Sequence, residues 1–348
     1  MQYKVSVIIP TYNAEKFLEQ AIDSIKNQTL GFENIELIIV DDNSNDKTRE
    51  ILREYSNNYP NIKSYFPEGS SGSPSRGRNI GIDKASSDYI MFLDQDDRYA
   101  LNMCEVLYDV INKTESDMVM SNIKYIKNNQ FLDNDICQYD KFSYEVVDPK
   151  DNMDIFLRNY MWDKIFKLDF LKEFKIKCLE GLFYEDIFFT IKCYLNSDKV
   201  VFLENFYGYE YNMRDSSEDS STSNNISEDF FKKSIKPYYP ICDFFKENGR
   251  QDLLNWFFEN WFVQIIGHFS ILNIGYNRKL IYSEELYNIS VYSGFRGHLG
   301  ELWADIIFQN ILKRNFFIAI IFSKIINILF ASYSLRRIYR KVYKKEYA

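Results

Sequence analysis

The chain has 348 residues, of which 46% are hydrophobic and 26% charged, and its formal net charge is −8. That length suits about two to three domains with cores of their own, and the composition excludes a disordered chain. Five widely spaced cysteines, no CxxC pair and only two histidines exclude a disulfide framework and a structural zinc site. The cysteines read as the reduced thiols of a cytoplasmic protein. The start, "MQYKVSVIIPTYN", is too short in its apolar part to be a signal peptide, and no run of 18 apolar residues marks a membrane span.

In chain order, "KVSVIIP" (4–10) predicts a strand and "AEKFLEQAIDSIKNQ" (14–28) a helix with apolar residues at helical spacing. "IELIIV" (35–40) is a second buried strand. The following "NSNDKTREILREY" reads as a helix with Ser44 or Asn45 as N-cap. "NIKSYF" (61–66) is a third strand, "GSSGSPSRG" (69–77) a loop entering a helix, and "YIMFL" (89–93) a fourth strand. This alternation predicts an α/β fold, a mostly parallel sheet flanked by helices. A helix over 101–113 and two strands within 117–127 continue the pattern. Two helical stretches and the strand-like "KVVFL" and "FYGYEY" occupy 151–211. The Ser-rich 214–227 reads as a mobile linker, and everything after 228 as helical and rich in aromatics. Aromatics make up 17% of the chain, which fits stacking surfaces or a simple bias toward Tyr and Phe.

Ligands of open α/β sheets bind at the carboxyl ends of the strands. Three polar motifs fall there: "PTYN" after the first strand, "VDDNS" after the second and "LDQDD" after the fourth. Asp94, Asp96 and Asp97 repel one another unless a divalent cation lies between them. Oxygen ligands without His or Cys suit Mg²⁺ or Mn²⁺, whose shell a nucleotide diphosphate completes. The competing reading is that Asp96 or Asp97 caps a helix near Tyr99. Asp41 and Asp42 are acceptors suited to a base N–H such as uracil N3–H or to ribose hydroxyls, with Tyr12 placed to stack on the base. Capping of the next helix is the alternative for Asp42. Gly72 and Gly77 allow close backbone approach, and Arg76 and Arg78 offer cations to a diphosphate, although no P-loop ending follows.

The stretches "VSVIIPTYNAEKFLEQAIDSIKNQT", "IELIIVDDNSNDKT", "GSPSRGRNIGIDKASSDYIMFLDQDD", "MWDKIFKLDFLKE" and "EGLFYEDIFFTIKCYL" together resemble the inverting glycosyltransferases of family two, across about residues 3–215. Members make bacterial capsule, teichoic-acid and other cell-surface polysaccharides. The resemblance implies a GT-A fold with a helical C-terminal domain, divided as 1–120 (nucleotide-sugar half), 121–227 (acceptor half) and 228–348 (helical region). It implies metal and diphosphate binding by Asp94 and Asp96, with Asp97 as a common variant. It also implies donor contacts from Pro10, Thr11, Tyr12, Asp41 and Arg78, and more loosely from Arg214. The catalytic base it implies is Asp186, the Asp of the "ED" pair opening a helix. Inversion is a single in-line displacement, so one carboxylate must take the acceptor proton. The helix dipole is expected to hold Asp186 ionised. The implied activity is metal-dependent transfer from a nucleotide diphosphate, UDP first, to a hydroxyl of a cell-surface glycan or lipid-linked precursor.

Residues 313–348 contain nine Lys/Arg and one Glu, a local +8 that leaves −16 for the rest. This points the segment 315–345 toward an anionic membrane surface at the inner face of the cell membrane, with core packing or a homo-oligomer contact as alternatives; nucleic acid is not an expected partner. Two other function classes are weighed. "IIVDDNS" and "IMFLDQDD" imitate the acidic pair and phosphorylated Asp of a receiver domain, but a full strand and helix precede Asp41. An inactive transferase-like scaffold is opposed by the intact acidic cluster and Asp186.

Overall fold

The computed structural model describes residues 3–127, 142–149, 152–213 and 226–331. The chain forms two compact units, Met1–Ser220 and Ser221–Ala348. In the first, β1 (Val5–Thr11) and β2 (Ile35–Asp41) are buried along their whole length. Their near-continuous apolar runs suit central parallel strands covered on both faces. β3 (Ile62–Tyr65) and β4 (Tyr89–Phe92) flank them, and the order β3-β2-β1-β4 is parallel throughout. α1 (Leu18–Lys26), α2 (Thr48–Asn58) and α3 (Ser75–Lys84) supply the crossovers. The short β5 (Arg98–Tyr99) and α4 (Met103–Thr114) follow β4.

Beyond β4 the sheet turns mixed. β6 (Met118–Lys127), β7 (Ser143–Val147), β8 (Lys164–Lys167) and β9 (Val200–Met213) complete nine strands among the described residues. β8 runs antiparallel to β4 and β6, while β9 runs parallel to β6 and antiparallel to β5 and β7. α5 (Leu168–Glu173) and α6 (Glu185–Asn196) lie between β8 and β9. The expected division at 120 therefore falls inside β6, a strand of one continuous sheet. The two strands expected over 117–127 are one strand with register irregularities near Asn122, and "KVVFL" and "FYGYEY" are one 14-residue strand.

Glu36 sits in central β2 with no exposure, and the sheet accepts it because every lone pair is used. It takes bonds from Ser6 Oγ at 2.5 Å, Ser86 N at 2.8 Å and Ser86 Oγ at 2.9 Å, and it pairs with Lys63. Buried polar groups are tolerated when satisfied in this way.

The second unit is helical, as the sequence predicts: α7 (Glu228–Ile235), α8 (Tyr238–Glu247), α9 (Gln251–Ile271), α10 (Tyr276–Ser293), α11 (Leu302–Leu312) and α12 (Phe316–Ala331). Ser227 caps α7 by accepting from Phe230 N at 3.1 Å. Aromatic residues fill this core, where Tyr238, Phe258, Phe262, Phe295 and Phe308 pack ring against ring. Cys104, Cys178, Cys193 and Cys242 are buried free thiols, and Cys137 lies outside the described residues.

α3 approaches β1 so closely that it has no room for side chains on its inner face. A Cβ on Gly81 would stand 2.3 Å from Ile8 Cγ2, and one on Gly77 would stand 3.0 Å from Pro10 Cβ. Overpacking of this kind costs roughly 1–3 kcal/mol. Gly81→Ala is therefore expected to lower the denaturation midpoint by that amount of stability. A variant as stable as the parent in urea unfolding would show that α3 can move outward freely.

Candidate active site

The register aligns Thr11 with Asp41 and Ile8 with Phe92, so the loops after β1, β2 and β4 share one rim. The first two are stitched together. Asn13 N donates to Ser44 Oγ at 2.9 Å, Asn45 N to Asn13 Oδ1 at 3.0 Å and Ala14 N to Thr48 Oγ1 at 2.7 Å. Asn13 and Asn43 hold positive φ, which Asn tolerates better than most residues. The first and third loops are joined by Gln95, whose amide accepts from Tyr12 N at 2.7 Å and donates to Tyr12 O at 3.1 Å. Pro10 and Thr11 end β1 under cover, and Tyr12 is 48% exposed.

The acidic residues of the rim divide by role. Asp41 has no exposed surface; it accepts from Ser44 N at 3.1 Å and from Ser44 Oγ, and Arg49 Nε lies 3.2 Å away. The expectation that it faces a base is not met by this placement, because its oxygens point into the loop it closes. Nor does Ser44 or Asn45 cap α2, which starts later, after Lys47. Asp42 organises the Ser-rich loop instead of capping. It takes bonds from Ser70 Oγ at 2.8 Å, Ser71 N at 2.8 Å and Gly72 N at 3.1 Å, and pairs with Arg76 at 2.6 Å. Burial alone would raise its pKa, but these donors carry it below the usual range. Gly72 takes a positive φ of 70° in this loop, and Gly77 serves contact with Pro10 rather than a ligand.

Arg78 is the centre of the site. Its guanidinium is nearly inaccessible and donates to Asp94 Oδ1 at 2.7 Å and to Glu185 Oε1 at 2.6 Å. Asn79 ties the segment before α6 to the same helix: Cys178 N donates to its Oδ1 at 2.9 Å, and its Nδ2 reaches Cys178 O at 3.0 Å and Glu180 Oε1 at 2.9 Å. These bonds bring the "ED" pair to the "LDQDD" loop across more than 90 positions of sequence.

Asp186, half-buried in the first turn of α6, accepts from Ile187 N at 3.0 Å. Its pKa is pushed up to about 7, chiefly by burial and then by the Glu185 charge, against which the Arg78 cation works. The sequence expectation of a depressed pKa at the helix N-terminus is thus reversed: desolvation and a like charge outweigh the dipole.

Asp97 departs from the expected metal ligand. It is buried, and both oxygens are engaged, by Tyr209 Oη at 2.6 Å and by Asn212 N at 2.8 Å. Asp94 N in turn donates to Tyr209 Oη at 3.3 Å. Asp97 therefore pins β9 to the rim, and it does not cap a helix near Tyr99, where β5 stands. Asp94 and Asp96 remain partly exposed at the rim. No group of three or more His, Cys, Asp or Glu suited to a metal ion converges among the described residues. A cation held here would take at most two protein carboxylates and depend on phosphate oxygens for the rest, which is how Mg²⁺ and Mn²⁺ are commonly held. Arg214 lies outside the described residues.

An aromatic ladder adjoins Asp186. Trp162 stacks on Tyr209 at 4.0 Å, on Tyr160 at 4.5 Å and on Tyr211 at 5.9 Å, and Tyr125 meets Tyr211 edge-on at 5.7 Å. Tyr160 and Tyr125 are exposed, and the Asp186 charge helps to raise the pKa of Tyr160 after burial. Lys164 is packed: it is fully buried on Asp163 at 2.5 Å and Tyr160 O. Sequence reasoning missed Gln95, Asn79, the structural part of Glu185 and the Tyr209 relay, since each acts through a partner distant in sequence.

The curled mixed sheet with this rim is a GT-A fold. The Staphylococcus aureus TarS 1-349 crystal structure in complex with UDP-GlcNAc superposes with a TM-score of 0.69 at 21% identity, covering 92% of this chain and 90% of that one. The family model described as Glycosyl transferase family 2 matches residues 6–165. It is 30% identical over 229 residues to a poly(ribitol-phosphate) beta-glucosyltransferase of Bacillus spizizenii, covering 66% of this chain and 35% of that one. It is 28% identical over 230 residues to the poly(ribitol-phosphate) beta-N-acetylglucosaminyltransferase TarS of S. aureus, again covering 66% of this chain and 39% of that one. The chain thus spans little more than a third of the length of these relatives.

The raised pKa of Asp186 has a measurable consequence for stability. The folded state keeps this proton up to about pH 7, whereas the unfolded chain releases it near the ordinary value of 3.8. Stability from this group is present at low pH and is lost as pH rises toward 7. Asp186→Asn is expected to remove that loss, so its stability relative to the parent should increase as pH rises from about 4 to about 7 and level off above that, the window set by the shift from 3.8 to about 7. A difference that stays flat with pH in paired thermal melts would contradict the assignment.

Proposed function

We propose that this protein is a metal-dependent, inverting glycosyltransferase that moves a sugar from a UDP-sugar to a hydroxyl of a cell-surface polymer of the teichoic-acid kind or its lipid-linked precursor. The observation that carries the reading is the Arg78 bridge between Asp94 and Glu185, with Asp186 beside it at a pKa of about 7, inside a family 2 domain. A general base works best with its pKa near the operating pH. Asp186 takes the acceptor proton as the acceptor oxygen bonds to the anomeric carbon and the bond from that carbon to the diphosphate breaks. UDP leaves with that electron pair. Relatives named as beta-transferases support inversion, because an α-linked donor inverted once gives a β-product.

Tyr12, half exposed at the rim, stacks on the uracil ring in this reading, and Pro10 and Thr11 shape the floor beneath it. Asp41 contributes by fixing Ser44 and Arg49. Asp94 and Asp96 would hold Mn²⁺ or Mg²⁺ with the diphosphate, and the ion would supply Lewis-acid stabilisation of the departing phosphate. The aromatic ladder at Tyr160 and Tyr125 suits the apolar face of a sugar ring in the acceptor. The receiver-like alternative loses its footing, since Asp41 is enclosed and ion-paired. The scaffold alternative leaves the poised base without a role.

Two measurements test the reading. UDP should raise the melting temperature with Mn²⁺ present and much less in EDTA, and Asp94→Asn with Asp96→Asn should abolish the difference; equal stabilisation in EDTA sinks the metal assignment. Asp186→Asn should keep UDP-sugar binding while transfer, followed as UDP release in the presence of teichoic-acid polymer, falls by ~10²–10⁴. Near-normal transfer by that variant would move the base elsewhere.

A further inference from the structure

α12 carries the most apolar exposed surface of the described residues. Its inner face is closed by Ala319, Ile320 and Ser323, which are buried. Its outer face presents Phe317, Ile321, Phe322, Ile325, Ile328 and Leu329, with exposures from 36% to 71%. Positions 317, 321, 325 and 328 follow helical spacing, so these side chains form one stripe and not a scatter. A large contiguous apolar patch on a folded surface marks an interaction site. The helix is too short and the stripe too one-sided for a span: no described helix is long and apolar enough to cross a membrane.

The sequence that continues from this helix is basic. Arg336, Arg337, Arg340, Lys341, Lys344 and Lys345 stand against one acid, Glu346, and Lys324 is exposed on α12 itself. Among candidate occupants, an apolar protein face satisfies the stripe and leaves these cations without a counterpart. An anionic bilayer satisfies both, because acyl chains take the apolar face and headgroup phosphates take the Lys and Arg side chains. Lys324, amid the stripe, has a stem long enough to reach the headgroup level.

We propose that α12 and the basic segment after it dock this protein on an anionic lipid surface, with the helix lying in the interface plane. The inference rests on the second unit alone and does not depend on the reaction assigned to the first. It has the thermodynamic form of two weak signals acting together, an apolar face and a polybasic segment, neither of which anchors a protein stably by itself.

The test is co-sedimentation of the full chain with phosphatidylcholine vesicles, with and without phosphatidylglycerol, at low and high salt. Binding is expected only to the anionic vesicles and should weaken with salt. Ile321→Glu with Ile328→Glu, both exposed and remote from the core, should abolish it. Arg336→Gln with Arg337→Gln should weaken partitioning by roughly fivefold per cation. UDP-dependent stabilisation of the same variants should be unchanged, which separates failure of docking from failure of the donor site. No preference for anionic vesicles, or full binding by the Ile variants, overturns the proposal. So does a lipid-free dimer in light scattering that the Ile variants split, which would make the stripe a self-interface.

Discussion

The active rim is organised by one buried cation. The Arg78 guanidinium, 4% exposed, bridges Asp94 at the end of β4 and Glu185 at the start of α6. Each carboxylate would be costly to bury alone, and Arg78 without them would be costlier still, since removing one partner of a buried pair leaves an uncompensated charge. The surrounding structure meets that constraint. α3 has to press on β1 for Arg78 to reach inward, and Gly77 and Gly81 permit it by having no side chain to clash with Pro10 and Ile8. α6 has to bring Glu185 to the guanidinium, and Asn79 fixes the segment that leads to it.

The same bridge sets the electrostatics of Asp186. Glu185 neutralises Arg78 but leaves a negative charge next to Asp186, and burial does the rest. The helix N-terminus favours the anion by a smaller amount than desolvation opposes it. A carboxyl poised near neutrality takes up and releases its proton readily in that pH range. Asp97, an acid from the same short motif as Asp94, is spent differently. It accepts from Tyr209 and Asn212 and so fastens the long β9 to the rim, beside the Trp162 stack.

Aromatic residues serve in two distinct ways, as core and as surface. In the helical unit they fill the core ring against ring, as Phe92, Phe166 and Phe189 also do in the first unit. Beside Asp186 they are exposed in part, at Tyr160 and Tyr125, and form a surface. Composition alone cannot separate these uses; burial does.

The sequence by itself determined the four strands of the parallel half and the helices between them, because three of the strands are continuous apolar runs, at 5–11, 35–41 and 89–92, bounded by polar motifs. It also determined which loops form the rim, since strand ends are local features, and it determined the helical character beyond 228. Tertiary structure alone decided what each acid does. Asp41, Asp42, Asp94 and Asp97 look equivalent in sequence, yet Arg49, the Ser70–Gly72 loop, Arg78 and Tyr209 assign each a different task. It also decided the ionisation of Asp186, for a pKa depends on burial and on charges brought near by folding, and neither Glu185's partner nor its depth can be read from a local motif.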